Sequence, residues 1–243
     1  MQASHIFSSY AHAASEVVAE TLWPTRCVVC GSLGEVLCSS CFHNLPFIDQ
    51  ARACPHCGAA FGMNQCSECN SYSLKSLGRA TLPFDACVSA VRFTDETARI
   101  VRIRKDLDER RLARLMAYAI ACAIPPAWLK PIATVVPVPA TVSALRKRGF
   151  DHAAELANHT AFLLRLPVRS VLGIAETADQ RGLGRISRAE NVAGSFSLCA
   201  DHAPERIILI DDVYTTGSTV MAATDTLRLG GAQHVFVATF TRV

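Results

Sequence analysis

Apolar and polar positions along the 243 residues follow two different rhythms. From Leu82 onward, short apolar runs alternate with stretches of helical spacing. Phe84–Phe93 alternates as a strand does. Residues 98–105 and 110–124 carry helix periodicity, the second stretch stopped by Pro125-Pro126. Ala133–Val138 reads as a buried strand, Asp151–Leu166 as a helix and Pro167–Ile174 as a strand. Ile207–Ile210 is a continuous apolar run of the kind that strands covered on both faces carry. Val220–Leu229 is helical and is stopped by Gly230-Gly231. His234–Arg242 is a last strand. This alternation predicts an α/β fold with a mostly parallel sheet flanked by helices.

Before Leu82 the rhythm is absent. Ile6, Phe7, Tyr10, Val17, Val18 and Leu22 suit an amphipathic helix over 1–22, packed on its own domain and ended by Pro24. A cysteine-rich segment follows. The polar, serine-containing stretch 70–78 sets the boundary to the α/β part. The expected organisation is therefore a helix over 1–22, a small domain over 23–78 and the α/β domain over 79–243.

Composition changes this picture little. Half the residues are apolar, but no stretch is long enough to span a bilayer. The net charge of +3 permits an anionic partner without demanding one. The first residues lack a basic start and a continuous apolar segment, so a cytoplasmic location is expected.

Eleven cysteines need an explanation other than disulfides, which the cytosol disfavours. Cys27-Val-Val-Cys30 and Cys38-Ser-Ser-Cys41 are two C-x-x-C knuckles separated by seven residues. Cys54-Pro-His-Cys57 and Cys66-Ser-Glu-Cys69 are two more, separated by eight. Each pair supplies four thiolates at the spacing of a tetrahedral zinc site. Sequential grouping costs the least loop closure, and a cross-braced arrangement remains open. Gly31 and Gly58 follow a knuckle directly, where a tight turn frees backbone N–H groups for the sulfurs. His43 and His56 read as surface residues. Cys87, Cys122 and Cys199 stand in apolar surroundings and read as small core residues. So small a domain cannot bury enough surface to fold alone, so one or two structural zinc ions are expected to supply its folding energy.

The chemistry of the α/β part centres on Ile207–Thr219. Asp211 and Asp212 stand where the apolar strand ends. Thr215-Thr-Gly-Ser-Thr219 then opens a helix. In open α/β sheets ligands bind beyond the carboxyl ends of the strands. A Gly/Ser/Thr turn at a helix start offers backbone N–H groups and the positive dipole end to a phosphate. Two acids beside it accept hydrogen bonds from a sugar diol. The pattern suits a phosphorylated sugar. Arg146–Arg148 form a basic loop after the 133–138 strand, placed to hold pyrophosphate. Gln180–Asn191, polar, basic and glycine-containing, suits a loop that covers a bound anion.

The stretch 207–219 resembles the 5-phosphoribosyl-1-diphosphate (PRPP) motif of type I phosphoribosyltransferases. Further segments resemble the ComF/GntX family. They are Phe84-Asp-Ala-Cys-Val-Ser-Ala90, Arg104-Lys105, Val136–Pro139, Lys147-Arg-Gly-Phe150, Thr177–Gln180 with Leu183, and Arg188 with Asn191. The order is the family's, from about Trp23 to Val243. The chain departs from it at Asp151-His152, where Asn-Gln is usual, and at Arg104, where leucine is usual. Asp151 puts a negative charge where a neutral amide would approach a phosphate.

The resemblance implies a type I phosphoribosyltransferase-like domain preceded by a cysteine finger. It also implies roles. Asp211 and Asp212 would hold the ribose hydroxyls, and Thr215, Thr216, Gly217, Ser218 and Thr219 would cradle the 5-phosphate. Lys147 and Arg148 would sit near pyrophosphate, with Mg²⁺ bridging its oxygens. No acceptor-recognition element and no catalytic residue is legible, so turnover is open. ComF-like proteins are associated with natural transformation, which implies a cytoplasmic role in DNA uptake. A non-enzymatic module for PRPP or single-stranded DNA, or an adaptor for a helicase or translocation partner, is the alternative. Phe42, Phe47 and Phe61 are too few to stack bases among the knuckles, and Arg26 and Arg52 are the only arginines there. Arg99, Arg102, Arg104, Lys105, Arg110, Arg111 and Arg114 are the better DNA candidates, set among Asp106, Asp108 and Glu109.

Overall fold

The computed structural model describes residues 24–107, 109–174 and 196–243. The expected N-terminal helix and the basic Gln180–Asn191 loop lie outside the described residues. The chain divides into two compact units, Met1–Leu45 and Pro46–Val243.

In the first unit, Arg26 and Leu33 bridge across a tight turn, and Gly31 N donates to Cys27 O at 2.8 Å. Helix α1 (Ser39–His43) starts on Cys38, whose thiol accepts from Cys41 N.

The second unit opens with the second pair of knuckles. The polar stretch 70–78 is not a bare linker. Asn70 caps a short helix, α2 (Ser71–Ser76), its side chain accepting from Ser73 N at 2.8 Å. The sheet comprises β1 (Ala86–Arg92), β2 (Thr134–Pro137), β5 (Arg206–Tyr214) and β6 (His234–Arg242). Its order is β1-β6-β5-β2, and every pairing is parallel. The predicted α/β class and parallel sheet are borne out.

Helices α3 (Asp95–Asp106), α4 (Leu112–Ala123), α5 (Val142–Arg148), α6 (His152–Leu164) and α7 (Ser218–Leu229) complete the layers. The α4 and α6 helices pack on each other and against the sheet. On the α7 side, Ile207, Leu209, Val235 and Val237 join Val220, Met221, Ala223 and Leu227 in one buried cluster. Ile208 and Ile210 are fully buried too, so β5 is covered on both faces, as its continuous apolar run requires.

Three differences from the sequence reading have local causes. The 167–174 stretch is not a sheet strand. Only Val168 bridges to Val135, and β3 (Leu172–Ile174) pairs antiparallel with β4 (Phe196–Leu198) in a separate ribbon. The basic run 146–148 is the last turn of α5 rather than a loop, since Thr141 caps that helix and cations suit its C-terminal end. Cys87 is buried, but Cys122 and Cys199 are exposed. Cys122 falls on the outer face of α4 and Cys199 follows the short ribbon, where apolar sequence neighbours do not imply a core.

Candidate functional site

Two cysteine clusters assemble as the spacing predicts. The sulfurs of Cys27, Cys30, Cys38 and Cys41 lie within 4.8 Å of one another, as do those of Cys54, Cys57, Cys66 and Cys69. The grouping is sequential, not cross-braced. Sulfur pairs stand at 3.7 Å (Cys30–Cys38), 3.6 Å (Cys54–Cys69) and 3.5 Å (Cys57–Cys66). Four thiolates at about 2.3 Å from one ion sit about 3.8 Å apart, so the donor sets fit tetrahedral zinc. Gly31 and Gly58 take left-handed φ values of 76° and 75°, the tight turns expected after a knuckle. Backbone N–H groups reach the sulfurs, Cys38 N donating to Cys27 Sγ at 3.4 Å. Burial and the bond to Cys54 push the Cys69 thiol up to about 12, and burial raises Cys57 too. A cation must compensate the charge before all four thiols ionise together.

The second site lies at the carboxyl end of β5. That strand runs on to Tyr214, so Asp211 and Asp212 sit within its paired length rather than past it. Asp211 is register partner of Thr239 on β6. Asp212 is buried, and Lys105 Nζ on α3 stands 2.6 Å from its Oδ2. Asp212 N donates to Asp211 Oδ1 at 2.8 Å. Burial raises the Asp211 carboxyl to about 7, and the neighbouring Asp212 charge adds to the rise.

The turn that follows is built around a glycine and leads into α7. Gly217, the residue before α7, has φ +77°, a conformation that side chains rarely adopt. A Cβ there would stand 2.6 Å from Tyr214 Cζ, so glycine is required sterically as well. Gly217 at the N-cap brings no side-chain cap to α7, and Thr216 Oγ1 accepts from Ser218 N at 3.3 Å. The Thr216 and Ser218 hydroxyls stand 2.8 Å apart, and Thr215, Thr216 and Thr219 are exposed. Asp211, Asp212 and Thr215–Thr219 are thus brought together by one strand–turn–helix unit. Lys147 is exposed and Arg148 half-buried on the last turn of α5.

Asp151 has both carboxylate oxygens on backbone N–H groups, and its charge adds to the rise at Asp211. Its Oδ1 caps α6, accepting from Ala153 N at 2.9 Å and Ala154 N at 3.0 Å. Its Oδ2 accepts from Ala140 N at 3.3 Å, tying the segment after β2 to the helix start. The two departures from the family pattern meet here. Arg104 is fully buried, its Nη2 donating to His152 O at 2.6 Å and pairing with Glu155 at 3.3 Å. Burial, with the Arg104 charge beside it, lowers His152 to about 4, so that ring is neutral.

Of the seven helix cations five are exposed, and Arg104 and Lys105 are not. Arg104 is interior, Lys105 pairs with Asp212, Arg110 with Glu155 and Arg111 with Glu109. Arg99, Arg102 and Arg114, like Arg110 and Arg111, are exposed. The sequence marked Lys105 only as a helix lysine. Its meeting with Asp212 links positions 107 residues apart, and no local pattern signals it.

Residues 18–71 match the double zinc ribbon domain. The chain is similar to Competence protein F of Haemophilus influenzae, 27% identical over 87% of this chain and 94% of that one. It is also similar to the DNA utilization protein YhgH of Salmonella typhimurium, 27% identical over 83% of this chain and 88% of the relative. The same-named protein of Salmonella typhi is 26% identical over the same shares. The resemblance to the ComF/GntX family read from the motifs holds across that span, with two four-cysteine zinc-binding sites at its start.

Proposed function

We propose that the carboxyl end of β5 is a 5-phosphoribosyl site that takes PRPP, or a related phosphoribosyl compound, with Mg²⁺, and that the protein serves cytoplasmic DNA uptake. The observation that carries the reading is the hydroxyl-rich turn through left-handed Gly217 into the start of α7, directly after a strand bearing two acids. Backbone N–H groups and the helix dipole suit a 5-phosphate there. Asp211 and Asp212 suit the ribose hydroxyls, and Lys105 holds Asp212 in place. Lys147 and Arg148 supply cationic charge for a diphosphate, whose oxygens would coordinate Mg²⁺. The names of the relatives, competence and DNA utilization, support the DNA-uptake part. Zinc in the two four-cysteine sites supplies folding energy to the ribbons.

The test is PRPP-dependent thermal stabilisation of the zinc-loaded chain with Mg²⁺. The wild type gains in Tm, and the Asp211→Asn/Asp212→Asn variant gains nothing; equal gains would remove the acids from the site. A second reading has the same site hold a sugar-phosphate unit of single-stranded DNA without transfer. The exposed Arg146 and Lys147 at the end of α5 favour it. It predicts a gel shift that weakens as salt rises, and release of pyrophosphate with any nucleobase or amine acceptor rules it out.

A further inference from the structure

The second cysteine cluster and the hydroxyl turn belong to one compact unit, and two side chains join them. Arg242 ends β6 and is 5% exposed. Its Nη1 donates to Cys57 O at 2.7 Å, and its Nη2 reaches Cys57 Sγ at 3.8 Å. Its Nε donates to Glu68 Oε2 at 3.2 Å, and Nη2 pairs with the same carboxylate. The guanidinium carbon stands 3.9 Å from the centroid of the Tyr214 ring, a cation–π contact. Tyr214 is the register partner of Arg242, and its carbonyl accepts from Val243 N at 3.0 Å. Gly217 rests against the same ring.

The knuckle is pressed against the sheet at a second point. A Cβ on Gly58 would stand 2.6 Å from Cys87 O of β1, so this turn is seated on the strand backbone. A cavity of about 330 Å³ lies between cluster and turn, and Cys57, Glu68, Arg242 and Tyr214 line it together with Thr215 and Thr216. The connection along the wall of this cavity runs from the Cys57 knuckle through Arg242 and Tyr214 to Gly217.

We propose that Arg242 and Tyr214 are positioning residues that couple the second four-cysteine site to the turn. Metal held by Cys54, Cys57, Cys66 and Cys69 fixes the Cys57 carbonyl and Glu68, which fix Arg242. Arg242 fixes the Tyr214 ring, and the ring fixes the start of α7. The metal state of this cluster then sets the order of the turn. By linkage, an anion held on the turn tightens metal binding at this cluster and not at the first. The anion half of the coupling rests on the proposed phosphoribosyl reading; the metal half does not.

The test uses the full zinc-loaded chain. Amide exchange across 213–222 is compared among the wild type, Arg242→Met and Cys54→Ser/Cys66→Ser. The Cys27→Ser/Cys38→Ser variant is the control. Exchange rising about tenfold in the first two variants and unchanged in the control is the expected result. Arg242→Met keeps all eight ligands, so its zinc content and the protection of β5 show whether the fold is intact. Arg242→Lys, which keeps the charge, partly restores protection. Zinc competition with a chromophoric chelator is then read at equilibrium with and without PRPP. In the wild type PRPP tightens zinc at the second site several-fold and leaves the first unchanged; in Arg242→Met it tightens neither. Unchanged exchange in a folded Arg242→Met variant would overturn the coupling. Exchange that responds to Arg242 and the cysteines, in a chain to which PRPP does not bind, would uphold the coupling and overturn the ligand reading alone.

Discussion

Asp211 keeps its proton through a pH range where an ordinary aspartate has lost it. Burial and the Asp212 charge raise it to about 7 from an ordinary value of 3.8. Between those two pH values the folded chain binds more protons at this group than the unfolded chain does. Its contribution to stability is therefore present at low pH and falls as pH rises toward 7. Asp211→Asn removes that decline while keeping an oxygen that accepts from Asp212 N. The expected outcome is that the Tm advantage of the variant over wild type grows from pH 5 to pH 8; a constant difference would show that Asp211 ionises normally. Gly217→Ala, measured by thermal melting and by PRPP titration, should keep the sheet but lose affinity at least tenfold. Its Cβ would collide with Tyr214 at a left-handed backbone position. The acids and the turn were legible in the sequence because one contiguous segment carries them. Lys105 on Asp212 and Arg104 under His152 were not, because tertiary packing brings distant positions together.

Among elements, α6 depends most clearly on one residue. Asp151 caps its first turn and ties it to Ala140. Asp151→Ala should cost about 1 kcal/mol, with a Tm loss of about 2–4 °C for a chain of this size. Asp151→Asn, which keeps the cap on Ala153 and Ala154 but loses the acceptor for Ala140 N, should lose less than Asp151→Ala. The strand–helix alternation was readable wherever an element is buried on one or both faces, as for β5 and α7. It failed for 167–174, where apolar residues enter a short ribbon and a single bridge instead of the sheet. It also read α5 as loop, because the helix is short and its basic end overrides the apolar pattern.

At the scale of the whole chain, the two four-cysteine sites fall in different compact units. Spacing alone gave both ligand sets, since a C-x-x-C pair brings its sulfurs together locally. It gave no hint that the second set lies in the same unit as the sheet, with Arg242 reaching it from the last strand. Emptying the second site with Cys54→Ser/Cys66→Ser should lower the melting transition of the α/β part by several degrees. Emptying the first should leave that transition in place. Equal effects in calorimetric melts would contradict the division. The central claim is tested most directly by calorimetric titration of PRPP into the zinc-loaded protein with Mg²⁺, beside the Asp211→Asn/Asp212→Asn variant. The account predicts micromolar binding by the wild type, lost in the variant. A folded wild type that takes up no PRPP would contradict it.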